Sequence, residues 1–147
     1  MAVMLGIFGG QKRTANAKAV VTGAGSGIGR VFALELARRG GEVICADIDA
    51  DRAAETVALI DRLWTGKGHV AQCDVSDRSA VELLANQSQE TFGGAPTLVI
   101  NNAGVGLGHA FLEQQWEDVL RVINTNVTGT LNLPARSLTR LVYKEQP

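Results

Sequence analysis

Ala19-Val20-Val21-Thr22-Gly23-Ala24-Gly25-Ser26-Gly27-Ile28-Gly29 runs from a short β-branched stretch into a glycine-rich turn and then into helical spacing. The apolar trio reads as a buried strand. From Gly27 onward Ile28, Val31, Phe32 and Leu36 recur at helical intervals, with Arg30, Glu35, Arg38 and Arg39 expected on the other face. Gly40-Gly41 then stops the helix. Strand, glycine turn and helix in that order suit a diphosphate. The helix start offers unpaired N–H groups and a positive dipole end, and glycines let the backbone come close. The register is TGxxxGxG, not GxGxxG, and its candidate binding residues are Thr22, Gly23, Ser26, Gly27, Ile28 and Gly29.

Val43-Ile44-Cys45-Ala46 reads as a second buried strand ending at Asp47. Ala50 to about Trp64 reads as a helix with Ala54, Val57, Ala58 and Leu63 as its apolar residues. His69–Cys73 is a third strand, and Ser76 is the expected N-cap of a helix reaching Phe92. Gly93–Pro96 is a loop before a fourth strand, Thr97–Ile100. Helix is expected from about Glu113 to Ile123, resuming after Asn126. Strands alternating with helices predict an α/β, doubly wound, Rossmann-type parallel sheet. Residues 1–17 are expected to be a poorly ordered lead-in and 18–147 a dinucleotide-binding domain.

Asp47 lies eighteen residues past Gly29, at the end of the second strand, where a carboxylate accepts hydrogen bonds from ribose hydroxyls and repels a 2′-phosphate. Ser26 and Ile48 put no cation beside that position, so NAD is expected in preference to NADP.

Composition narrows the function classes. The 147 residues carry 14 basic and 15 acidic side chains, a net charge of −1 that gives no support for charge-driven binding to nucleic acid or an anionic membrane. No apolar run is long enough to span a bilayer, and the apolar Met1–Phe8 lacks the basic start of a signal peptide. Cys45 and Cys73 have no CxxC spacing and read as inert core thiols of a cytoplasmic protein. His109 has no partner at ligand spacing, so no metal is expected.

Four ordered motifs together resemble the short-chain dehydrogenase/reductase family over about residues 18–133: TGAGSGIG, Cys73-Asp74-Val75, Asn101-Asn102-Ala103-Gly104 and Asn126-Val127-Thr128-Gly129. The resemblance implies NAD(P)-dependent hydride transfer between nicotinamide and an alcohol or carbonyl substrate. It implies phosphate contacts along Thr22–Gly29, Asp47 on the ribose, and Asp74 with Val75 at the adenine. Asn102, Ala103 and Gly104 would pass beside the cofactor, and Asn126 would hold a proton-relay water. Read locally, Asp74 serves equally as the turn residue ahead of the Ser76 cap. Gly104–Phe111 would supply one wall of a substrate pocket.

The family's catalytic Ser and Tyr-x-x-x-Lys have no match. The sole tyrosine, Tyr143, is followed directly by Lys144, and adjacent helical side chains do not face each other. The domain is therefore expected to be incomplete at its C-terminal end, truncated after about four strands and inactive alone. A non-catalytic dinucleotide-binding or regulatory module, and a degenerate fragment, are the alternative readings. Pro134 predicts a helix kink or end near Thr130–Leu133. In the family's strand order, 3-2-1-4-5-6-7, the fourth strand would here become an edge. That predicts a homo-oligomer or self-association through this strand, with the helices of 113–142 as the other candidate surface.

Overall fold

The computed structural model describes residues 14–64, 66–108 and 115–133. Four parallel strands, β1 (Lys18–Thr22), β2 (Glu42–Asp47), β3 (Lys67–Gln72) and β4 (Leu98–Ile100), form one sheet in the order β3-β2-β1-β4. Val20 pairs with Ile44 on one side and Val99 on the other. The expected doubly wound architecture and the start of the expected strand order are both present.

Strand alternation builds two cores. Ala19, Val21, Val43 and Cys45 face α1 (Gly27–Arg38) and α2 (Ala50–Leu63), whereas Val20, Ile44 and Ala46 face α3 (Arg78–Phe92) and Leu133. Residues on both faces are almost fully buried, as a sheet covered by crossover helices requires. Ala17, ahead of β1, already belongs to the first core. Among the described residues β4 is an edge strand.

Both helices over the first core are rotated from the faces expected of them. α1 buries Gly29, Ala33, Leu36 and Ala37, and leaves Ile28, Val31 and Phe32 exposed. α2 buries Ala53, Thr56 and Ile60, while Ala54, Ala58 and Leu63 are exposed and Val57 is half-buried. Leu36 is buried as expected, but around it and around Ile60 the buried positions are small, Gly29, Ala33, Ala37 and Ala53, which lets the helices pack closely on the sheet.

The cap of α3 is also displaced by one residue. Asp77, not Ser76, is the N-cap, its carboxylate accepting from the Ser79 N–H. Ser76 is drawn into a turn on Asp74 instead. At the C-terminal end, α4 (Trp116–Ile123) does not break before Asn126. It runs through a π-helical turn, Asn124–Thr128, into α5 (Gly129–Asn132). Glu113, Pro134 and the kink expected beside Pro134 lie outside or at the limit of the described residues.

Candidate functional site

A cleft of about 860 Å³ opens at the C-terminal ends of the strands, on the side where ligands bind in open α/β sheets. The sheet order places four sequence-distant stretches around it. Gly23, Ser26, Gly27 and Ile28 come from the turn after β1, Asp47 and Ile48 from the end of β2, and Asn102, Ala103 and Gly104 from beyond β4. Asp74 and Val75, following β3, complete this group. Of the site residues named from sequence, Thr22, Gly29 and Asn126 do not line the cleft but brace those that do.

Thr22 is the first brace. It is 1% exposed, and its Oγ1 donates to the Ile100 carbonyl at 3.3 Å while accepting the N–H groups of Asn102 and Ala103, each at 3.1 Å. Asn102 answers with Nδ2, which donates to the Thr22 carbonyl at 3.0 Å. These bonds lock the ends of β1 and β4 together just where the backbone enters the cleft. Gly29 is the second brace, by having no side chain. A Cβ there would stand 2.1 Å from the Gly23 carbonyl oxygen, so only glycine lets α1 begin so close to the turn.

The start of α1 is open. Ser26, its N-cap, is extended (φ −157°) and makes no side-chain cap bond, and the first turn holds no acidic residue. The helix's first N–H groups thus keep their hydrogen-bonding capacity and the positive end of the dipole beside the cleft. Asp47 adds a carboxylate alongside. Its Oδ2 accepts the Gly25 N–H at 2.8 Å and its Oδ1 the Asp49 N–H at 3.0 Å, which fixes the side chain while leaving acceptor capacity on both oxygens.

Asp74 has the local role that its position allowed: its Oδ1 accepts from the Ser76 N–H at 2.9 Å and the Ser76 hydroxyl at 2.7 Å. Asn126 has both ends of its amide on Val105, donating to its carbonyl and accepting its N–H at 2.9 Å each. It therefore ties the π-helical turn to the loop after β4. Gly129 brings the same region against Val75, where a Cβ would lie 2.6 Å from Val75 Cγ2.

Sequence reading missed one wall of the cleft, formed by Glu117, Leu120, Arg121, Asn124 and Thr125. The signal was a helical repeat at 117, 120, 121 and 124, legible as one face of a helix but silent about what that face overlooks. The cysteines are poor nucleophiles. Burial, with Asp61 nearby, pushes the Cys45 thiol up to about 12, and burial with Asp74 and Asp77 pushes Cys73 up to about 11. Among the described residues no His, Cys, Asp and Glu side chains cluster as a metal site; His109, Tyr143 and Lys144 lie outside them.

The profile of the short chain dehydrogenase family matches residues 17–146. The chain belongs to this family. The chain is 40% identical over 126 residues to (3R)-3-hydroxyacyl-CoA dehydrogenase of Rattus norvegicus, a match covering 82% of this chain and 49% of that enzyme. It is 42% identical over 115 residues to the probable oxidoreductase EphD of Mycobacterium tuberculosis, covering 76% of this chain and 19% of the relative. Among solved structures, a short-chain type dehydrogenase/reductase from Mycobacterium marinum superposes with a TM-score of 0.77 at 28% identity, over 88% of this chain and 52% of that one. The chain thus spans from about a fifth to about half of the length of these proteins.

Proposed function

We propose that the chain is the cofactor-binding portion of an NAD(P)-dependent oxidoreductase that transfers hydride between nicotinamide and an alcohol or carbonyl carbon. The observation that carries this reading is the uncapped start of α1 facing the cleft, with the Asp47 carboxylate fixed beside it. Backbone N–H groups at the start of α1 would hold the diphosphate, Asp47 the adenine-side ribose, and Asp74 with Val75 the adenine. Gly23, Asn102, Ala103 and Gly104 would support the remaining length of the cofactor. When bound, the nicotinamide supplies the hydride acceptor or donor.

Asp47 favours NAD over NADP, because a 2′-phosphate would meet its negative charge in the cleft. Arg52, the cation next to this corner, is drawn to Asp49 at 3.2 Å. Asn126 acts by position: through Val105 it fixes the loop beyond Gly104, on the side where a substrate would enter. The rat relative's name, (3R)-3-hydroxyacyl-CoA dehydrogenase, supports a secondary alcohol or its ketone as the substrate class.

The residues present include no Tyr-x-x-x-Lys, which favours binding without turnover for the 147-residue polypeptide. Self-association is the companion proposal, supported by β4, an edge strand among the described residues, and by the exposed apolar side chains Trp116, Ile123, Val127 and Leu131. Sedimentation that finds only monomer, with slow amide exchange across Leu98–Ile100, would remove it. No helix among the described residues is long and apolar enough to cross a membrane. The buried free thiols support a cytoplasmic location.

Calorimetric titration with NADH and NADPH tests the reading. Tighter binding of NADH, without oxidation of secondary alcohols by the polypeptide alone, is expected. A folded protein that ignores both nucleotides would overturn it.

A further inference from the structure

Behind the turn that follows β1 lies a hydrogen-bonded group outside the cleft. Thr56, on α2, is completely buried, and its hydroxyl donates to the Ala24 carbonyl at 2.8 Å. Arg30, on α1, donates from Nε to Thr56 Oγ1 at 2.9 Å and from Nη2 to the Gly25 carbonyl. The same guanidinium is held from outside by Glu55 Oε2, 2.9 Å away. Two successive carbonyls of the turn are thus held from one side by residues of two different helices.

A trans peptide is planar, with its C=O and the following N–H pointing in opposite directions. Holding the Ala24 carbonyl on Thr56 therefore turns the Gly25 N–H the other way, where it meets Asp47 Oδ2. Holding the Gly25 carbonyl on Arg30 likewise aims the Ser26 N–H away from Arg30, and Ser26 lines the cleft. Without the Arg30 bond the Gly25–Ser26 peptide can rotate and present a carbonyl oxygen, which repels a phosphate, in place of an N–H; without Thr56 the Ala24–Gly25 peptide is left with Asp47 alone.

We infer, on the dinucleotide reading above, that Arg30 and Thr56 are positioning residues for the cofactor diphosphate, pre-setting the peptide planes of the phosphate turn from behind. They touch no cofactor atom. The Ser26 N–H that Arg30 sets serves ligands that carry the diphosphate, whereas the Gly25 N–H that Thr56 sets also holds Asp47, so that Thr56 reaches the ribose as well.

The test compares binding of ADP and adenosine to the 147-residue protein and to Arg30→Met, Thr56→Val and Thr56→Ser. Arg30→Met should weaken ADP about tenfold, the scale of one or two lost charge-assisted bonds, and change adenosine by less than about twofold, whereas Thr56→Val should weaken ADP about tenfold and adenosine by a smaller factor. Thr56→Ser keeps the hydroxyl and should bind ADP like the parent. If Thr56→Val fails to fold, Arg30→Met carries the comparison, because that side chain is 28% exposed. Equal losses for ADP and adenosine, or an unchanged ADP affinity in Arg30→Met, would overturn the inference. A parent protein showing no preference for ADP over adenosine would instead overturn the diphosphate reading itself.

Discussion

The Gly25 N–H donates to Asp47 Oδ2 across 2.8 Å, joining the phosphate turn to the residue that would read the ribose. One carboxylate therefore serves two ends of the site. Asp47→Ala should weaken NAD binding by roughly 1–3 kcal/mol and narrow the preference over NADP, since both the charge and the brace are lost. Calorimetry with both nucleotides checks this. Unchanged discrimination would show that Asp47 acts only on the turn.

Thr22 is the knot between β1 and β4. Thr22→Val keeps the shape but strands the N–H groups of Asn102 and Ala103, which both bond to Oγ1. The expected cost is about 2–4 kcal/mol of stability, measured by urea unfolding. A loss well under that would mean that those N–H groups find another partner.

Glu35 gives a pH signature unrelated to the cleft. Hydrogen bonds from Arg38 and then Arg39 pull its carboxyl from 4.5 to about 2. The unfolded state binds the proton first as pH falls, so this group's stabilisation is complete above about 4.5 and is lost on descending toward about 2. Its side chain is 39% exposed, so screening keeps the contribution below about 1 kcal/mol. Thermal melts should show parent and Glu35→Gln differing at neutral pH and converging at the acid end of that window. A constant difference across it would contradict the pairing.

The strand-turn-helix start was legible because backbone chemistry dictates it: a glycine turn between a β-branched strand and a helix has few other uses. The strand order and the grouping of Asp47, Asp74 and Asn102 around one cleft followed. The buried faces of α1 and α2 were not legible. Gly29, Ala33 and Ala37 are chosen for closeness, and Thr56 for its hydroxyl, neither of which registers in a pattern of apolar side chains. Ser76 and Asp77 are both competent caps, and only the turn on Asp74 decides between them. The α4 wall was hidden for a different reason: its side chains meet the cleft through long-range packing rather than any local motif.

The N–H groups opening α1 are proposed to receive a cofactor diphosphate. Amide chemical shifts of the ¹⁵N-labelled protein, followed through a titration with NADH, test this most directly. Saturable shifts concentrated at Ser26, Gly27, Ile28 and Gly29, with smaller ones at Asp47, are predicted. Unmoved resonances at those four amides, in a protein whose other resonances remain those of the fold, would contradict it.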